Sequence, residues 1–159
     1  MSGNLIYAKE GPLAAPARRD STTDRPGYLL KRAQAALHAA LAGALREHGA
    51  TLPQYAVLSA LAEEPGLSNA DLARRAFVTP QTMNQVLREL EHQRWVSRRP
   101  HPGHGRILQA DLTDEGRKTL EACHHAAGIV EDRMLAGLSP DHRQQLVATL
   151  RTCIEALAQ

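Results

Sequence analysis

Between residues 27 and 48 the apolar positions Leu29, Leu30, Ala33, Leu37, Leu41, Ala44 and Leu45 recur every three or four residues. That period places them on one face of an α-helix. Pro26 stands where a first-turn proline is tolerated and Gly49 where a helix stops, so a long amphipathic helix is predicted from Gly27 to His48. A second helix is predicted from Thr51, with Pro53 in its first turn and Ala56, Val57, Ala60 and Leu61 inside, ended by Glu64-Pro65-Gly66. Near the other end, Thr113-Asp114-Glu115 opens a long helix with Leu120, Cys123, Ala127, Val130 and Met134 in register. Ser139-Pro140-Asp141 opens a last one carrying Leu146, Leu150, Cys153 and Leu157. These two stripes repeat about every 3.5 residues, the spacing that suits packing against another helix. Residues 1–25 mix glycine, proline, serine and threonine without periodicity and read as a flexible N-terminal arm.

The centre of the chain is patterned differently. Ser68-Asn69-Ala70-Asp71 is a capping box that starts a short helix running to about Arg75. Thr79-Pro80 then gives an N-cap followed by a first-turn proline, and Met83, Val86, Leu87 and Leu90 line one face of the helix to about Gln93. Two capped helices across the three residues Ala76, Phe77 and Val78 make a helix-turn-helix. Residues 95–99 and 107–112 read as two short strands, Leu108, Ala110 and Leu112 alternating with Gln109 and Asp111. The turn formers of residues 100–105 join them into a hairpin, and a hairpin directly after a helix-turn-helix makes a winged helix. Phe77 and Trp95 are expected as core anchors. His124 and His125, adjacent on one helix, point about 100° apart, so one is expected packed and the other exposed.

Charge sharpens this picture. The net charge of the 159 residues is only +2, yet Ser68 to Arg106 holds seven arginines against Asp71, Glu89 and Glu91. That stretch is net positive by four while the remainder is net negative by two, which suggests one surface meant for phosphates. The face of the second motif helix opposite its apolar stripe carries Gln81, Gln85, Arg88 and His92, flanked by Thr82 and Asn84. Glutamine pairs with adenine and arginine with guanine through two hydrogen bonds each, so this chemistry suits a DNA major groove. Leucine (22) and alanine (26) dominate the apolar residues while valine and isoleucine together number ten, which favours helix over strand. No glycine-rich phosphate loop, nucleophile elbow or metalloprotease pair is present, and the carboxylates sit at helix caps and on exposed faces. An enzyme is not expected, nor is a cofactor. The apolar runs are too short to span a membrane and the start of the chain lacks a secretory pattern, so a soluble, cytoplasmic protein is expected.

Leu67-Ser68-Asn69-Ala70-Asp71-Leu72-Ala73, Val78-Thr79-Pro80-Gln81-Thr82-Met83 and His104-Gly105-Arg106 leading to Leu112-Thr113-Asp114-Glu115-Gly116-Arg117 resemble the multiple-antibiotic-resistance regulator (MarR) family. The likeness is sharpest from Leu52 to Gly116, and the join after the wing is its most specific part. It implies a mostly α (α+β) fold, a winged helix-turn-helix with long dimerisation helices at both ends. Residues 26–50 and 113–159 would form the dimerisation helices and residues 51–112 the DNA-binding lobe. It also implies a homodimer that binds a palindromic operator in double-stranded DNA as a repressor, and a small-molecule effector that releases the DNA. The candidate DNA-binding residues are Ser68, Thr79, Gln81, Thr82, Asn84, Gln85, Arg88, Arg98, Arg99, His104 and Arg106. Gln81, Gln85 and Arg88 would read base edges, and Thr79, Thr82 and Asn84 would fix the helix on the backbone. Arg98 and Arg99 would clamp phosphates, and Arg106, expected at the exposed tip of the hairpin, would enter the minor groove. The family usually has an aspartate before the wing arginine where this chain has His104, so the acid that would orient Arg106 is missing.

Other readings have weaker support in the residues. His101-x-x-His104, with His92 nearby, lies in a turn without the cysteine or acid that would complete a zinc shell, so no metal site is assigned. Cys123 and Cys153 fall on apolar stripes and read as small buried hydrophobes rather than redox switches. A metal- or redox-responsive regulator, or a winged-helix dimer acting through a protein partner, is the alternative.

Overall fold

A computed structural model describes residues 22–158, and for residues 104–106 it describes the backbone alone. The chain divides into two units, Met1–Ala33 and Gln34–Gln159. In the first, a single 3-10 turn at Thr22–Asp24 precedes the opening turns of helix α1 (Pro26–Arg46), where the Arg32 guanidinium stands 6.0 Å from the centre of the Tyr28 ring. The second unit holds the rest of α1, then α2 (Leu52–Glu63), β1 (Leu67–Ser68), α3 (Asn69–Arg75) and α4 (Pro80–His92). Strands β2 (Val96–His101) and β3 (His104–Leu112) and helices α5 (Asp114–Met134) and α6 (Pro140–Leu157) complete it. This is the mostly helical winged helix-turn-helix that the sequence predicts. No helix among the described residues is long and apolar enough to cross a membrane.

Side-chain caps start the helices, those at Ser68, Thr79 and Thr113 as the sequence predicts. Thr51 and Ser68 both close full capping boxes, with Gln54 and Asp71 reaching back to the cap amide. Thr79, Thr113 and Ser139 each accept a hydrogen bond from the third residue beyond. Three helix ends share one device. The Val78, Trp95 and Ala50 amides donate to the carbonyls of Ala73, Leu90 and Leu45, and the preceding residues Phe77, Arg94 and Gly49 donate to the next carbonyls, those of Arg74, Glu91 and Arg46. This double closure needs a left-handed residue, and Phe77 (φ 54°), Arg94 (φ 60°) and Gly49 (φ 73°) supply it.

The main core lies inside the winged-helix lobe, where Leu58, Leu61, Leu72, Met83, Leu87 and Leu90 are almost fully buried. Each such side chain contributes roughly 1.5–3 kcal/mol by leaving water. A smaller cluster of Leu45, Ala50 and Cys123 joins the end of α1 to α5, and half-buried Trp95 packs against both clusters.

Several expectations change. Phe77 is not a core anchor: it is 96% exposed, because the left-handed turn that ends α3 swings its ring outward. His124 and His125 are both exposed, and His124 Nδ1 lies 2.9 Å from the Tyr55 hydroxyl with the two rings edge to face. Cys123 is buried as expected, but Cys153 is exposed in the single chain. The sheet has a third strand that the sequence did not announce. Leu67 pairs with Ala110 and Ser68 with Gln109, giving the antiparallel order β1-β3-β2.

Candidate nucleic-acid interface

Helix α4 shows two faces. Met83, Val86, Leu87 and Leu90 are buried in the lobe, while Gln81, Thr82, Asn84, Gln85 and Arg88 are all exposed. The stripe fixes the helix against the core and leaves the hydrogen-bonding side chains to solvent. Thr79 caps its start, its hydroxyl accepting from the Thr82 amide at 3.1 Å. The first turn carries no acidic residue, so the positive end of the helix dipole is left for an anion. The Asn69 side-chain amide donates to the Pro80 carbonyl at 3.1 Å, tying the start of α3 to the start of α4.

Ser68 is half-buried and engaged at the start of α3: its hydroxyl donates to Asp71 at 2.5 Å and accepts from the Asp71 amide at 3.2 Å. The Ser68 hydroxyl and the Arg74 ion pair hold the Asp71 carboxyl below the usual carboxylate range, against a smaller opposing effect of burial. Arg75 is paired with Glu64 at the end of α2.

The wing is longer than the sequence predicts. Its strands reach His101 and begin again at His104, with the turn at Pro102 and Gly103, so the backbone of Arg106 belongs to β3 rather than to the tip. Pro100 pairs with Leu108 but the next residue, His101, pairs with His104, leaving residues 105–107 as an excess on one side. Such a bulge bends a strand and re-aims its side chains. The side chains of His104 and Arg106 lie outside the described residues, so the roles expected of them rest on the sequence.

The two arginines at the base of the wing differ. Arg98 is ion-paired with Glu91 in the last turn of α4, and its side chain is only 17% exposed. Arg99 is 69% exposed and reaches Asp111 across the strands at 3.0 Å. A cleft of about 360 Å³ between α3, α4 and the wing is lined by Ser68, Asn69, Asn84, Arg98, Ile107 and Leu108.

Residues outside the sequence-derived set hold this surface in place. Glu91 pins the wing through Arg98. Thr113 binds the residues that follow α4, its hydroxyl donating to the Arg94 carbonyl at 2.6 Å and its amide to the Trp95 carbonyl at 3.1 Å. One turn on, a Cβ at Gly116 would stand 2.0 Å from the Trp95 carbonyl oxygen. Gln54, in α2, is 4% exposed and bonded to Glu89 of α4. The Thr51-x-x-Gln54 spacing marks its capping role. The bond to Glu89 crosses 35 residues and leaves no local trace.

Comparison with known proteins agrees with this arrangement. The profile of the MarR family matches residues 48–107. The transcriptional repressor Rv2887 of Mycobacterium tuberculosis is 41% identical over 119 residues, which cover 75% of this chain and 86% of that protein. The solved structure of Rv2887 in complex with DNA is similar with a TM-score of 0.71 at 36% identity, over 81% of this chain and 97% of that one. Rv2887 in complex with salicylic acid gives a TM-score of 0.68 at 39% identity, covering 81% and 96%. The PcaV regulator of Streptomyces coelicolor, solved with its natural ligand, gives 0.73 at 27% identity, covering 87% and 97%. With its capped helix-turn-helix, its three-stranded wing sheet and these relatives, the chain belongs to the MarR family of winged helix-turn-helix transcriptional regulators.

Proposed function

We propose that this regulator is a ligand-responsive repressor that binds a palindromic operator as a homodimer. The observation that carries the reading is α4, whose polar face is exposed along its length while its apolar face is locked into the lobe. Seated in a major groove, that face offers Gln81, Gln85 and Arg88 to base edges and Thr79, Thr82 and Asn84 to the backbone. Ser68 lines the same surface beside Asn84, with its hydroxyl given to Asp71 at the start of α3. Arg99 supplies a phosphate contact from the wing, and Arg106 an entry into the minor groove. Arg98 is reassigned: with Glu91 beside it, its charge is committed to holding the wing against α4. The effector class rests on the relatives. Rv2887 has been solved with salicylic acid, and a small aromatic acid is the ligand class proposed for this chain. A two-fold repeat of the operator follows from two-fold symmetry of the protein.

Selection from random duplexes should return a palindromic motif that survives excess competitor DNA. Arg88→Ala should relax preference at particular base positions and cost about 1–3 kcal/mol. Salicylate should release the selected duplex. If no motif rises above competitor, the protein-partner reading replaces this one.

A further inference from the structure

Gln54 is the single buried polar side chain among the described residues, and it lies on α2, outside the helix-turn-helix. Its Oε1 accepts from the Thr51 amide at 2.9 Å. That bond orients the whole amide: with the oxygen turned to the start of α2, Nε2 points at α4 and donates to Glu89 Oε2 at 3.4 Å. Glu89 sits on the exposed face of α4, and its other oxygen accepts from Gln85 Nε2 at 3.3 Å, one turn back along the helix. A continuous chain of hydrogen bonds therefore runs from the cap of α2 to a side chain expected to read bases.

We propose that Gln54 and Glu89 are specificity-determining positioning residues that fix the orientation in which the Gln85 amide meets the DNA. The proposal rests on the reading of α4 as the base-contacting helix and deepens it. A free glutamine reads adenine by donating to N7 and accepting from N6 at once. Gln85 gives one of its two N–H groups to Glu89 and keeps the other, with Oε1, for a base. The chain thus holds the Gln85 amide in one orientation, with the donor and acceptor that adenine takes both still available. Three features support a relay over a chance contact: Gln54 is buried, its amide has no rotational freedom while it caps α2, and both Glu89 oxygens are used. A carboxylate on a DNA-facing helix also opposes nearby phosphates, so its presence there calls for a positive role.

The test is selection of preferred duplexes by the full-length chain and four variants. Glu89→Ala, at an exposed position of α4, frees the Gln85 amide to rotate and should lower the preference for adenine over the other bases at the Gln85 position by roughly ten-fold, the discrimination that a bidentate pair supplies. Gln54→Glu should do the same, because it sets a second carboxylate against Glu89. The double variant Gln54→Glu with Glu89→Gln reverses the bond between positions 54 and 89, keeps those from the Thr51 amide and from Gln85, and should return the parental motif. A merely structural or charge role would shift affinity for all sequences alike and leave the motif unchanged. If Gln85→Ala alters the motif while Glu89→Ala does not, the relay is wrong and the reading of α4 stands. If Gln85→Ala leaves the motif unaltered, the base-reading role of Gln85 fails, and the relay with it.

Discussion

Phe77 joins conformation to exposure at a single residue. The double hydrogen-bond closure at the end of α3 demands a left-handed residue, and an L side chain there costs about 1–2 kcal/mol that glycine avoids. The ring recovers nothing by burial, since it is 96% exposed. Phe77→Gly should therefore leave folding stability unchanged or raise it by up to about 1 kcal/mol, in spite of the freer unfolded chain. Loss of a buried phenylalanine would instead cost about 3–5 kcal/mol. A denaturant titration of parent and variant separates the two, and a fall in midpoint of the larger size would return Phe77 to the core. The sequence pattern misled at this position because aromatic character argues for burial, whereas helix-end geometry decides where the side chain points.

Among the elements, the junction of wing and α5 holds the end of α4 and the wing in place. Thr113 binds the Arg94 and Trp95 carbonyls, and Gly116 brings the first turn of α5 against the backbone of Trp95. The contact is with backbone, which cannot move aside as a flexible side chain would. Gly116→Ala should cost about 1–3 kcal/mol, as overpacking of a tight site does, despite the better helix propensity of alanine. It should also weaken operator binding by more than the stability loss explains, since α4 and the wing are held by this contact. Thermal unfolding with an affinity titration on the same samples checks both effects. An alanine variant as stable as the parent would show that the approach relaxes without strain. The Leu112-Thr113-Asp114-Glu115-Gly116-Arg117 motif was visible in the sequence, but the partner of its glycine was not, because Trp95 lies 21 residues away in the chain.

For the whole molecule, the exposed apolar residues of the last two helices are the dominant feature. Helix α6 has no buried residue, and Ile129, Met134, Val147, Ile154 and Leu157 are all exposed, Ile154 by 67%. The single chain leaves this apolar surface in water, and a second copy would cover it. Sedimentation at micromolar concentration should show a dimer of the full chain. Ile154→Asp should shift it toward monomer and weaken operator binding, because half-sites would no longer be linked. A parent that sediments as a stable folded monomer would sink the assignment of α6 to dimerisation.

Sequence alone determined the elements that local chemistry specifies. The caps at Ser68, Thr79 and Thr113, the proline and glycine stops, and the apolar stripe of α4 are short-range signals, and each marked a helix end or a buried face. The split of α4 into a buried stripe and an exposed polar face was legible for the same reason. Tertiary structure decided what depends on residues distant in the chain. It added β1, a strand of two residues that exists only because β3 offers it an edge. It lengthened the wing and placed a bulge at residues 105–107, a matter of register between strands. It also turned Arg98 inward to Glu91 and joined Gln54 to Glu89. A cap or a stripe is satisfied within four residues, so its pattern is written locally. An ion pair, a register or a buried amide is satisfied by whatever the fold brings alongside, and no window of neighbouring residues contains that partner.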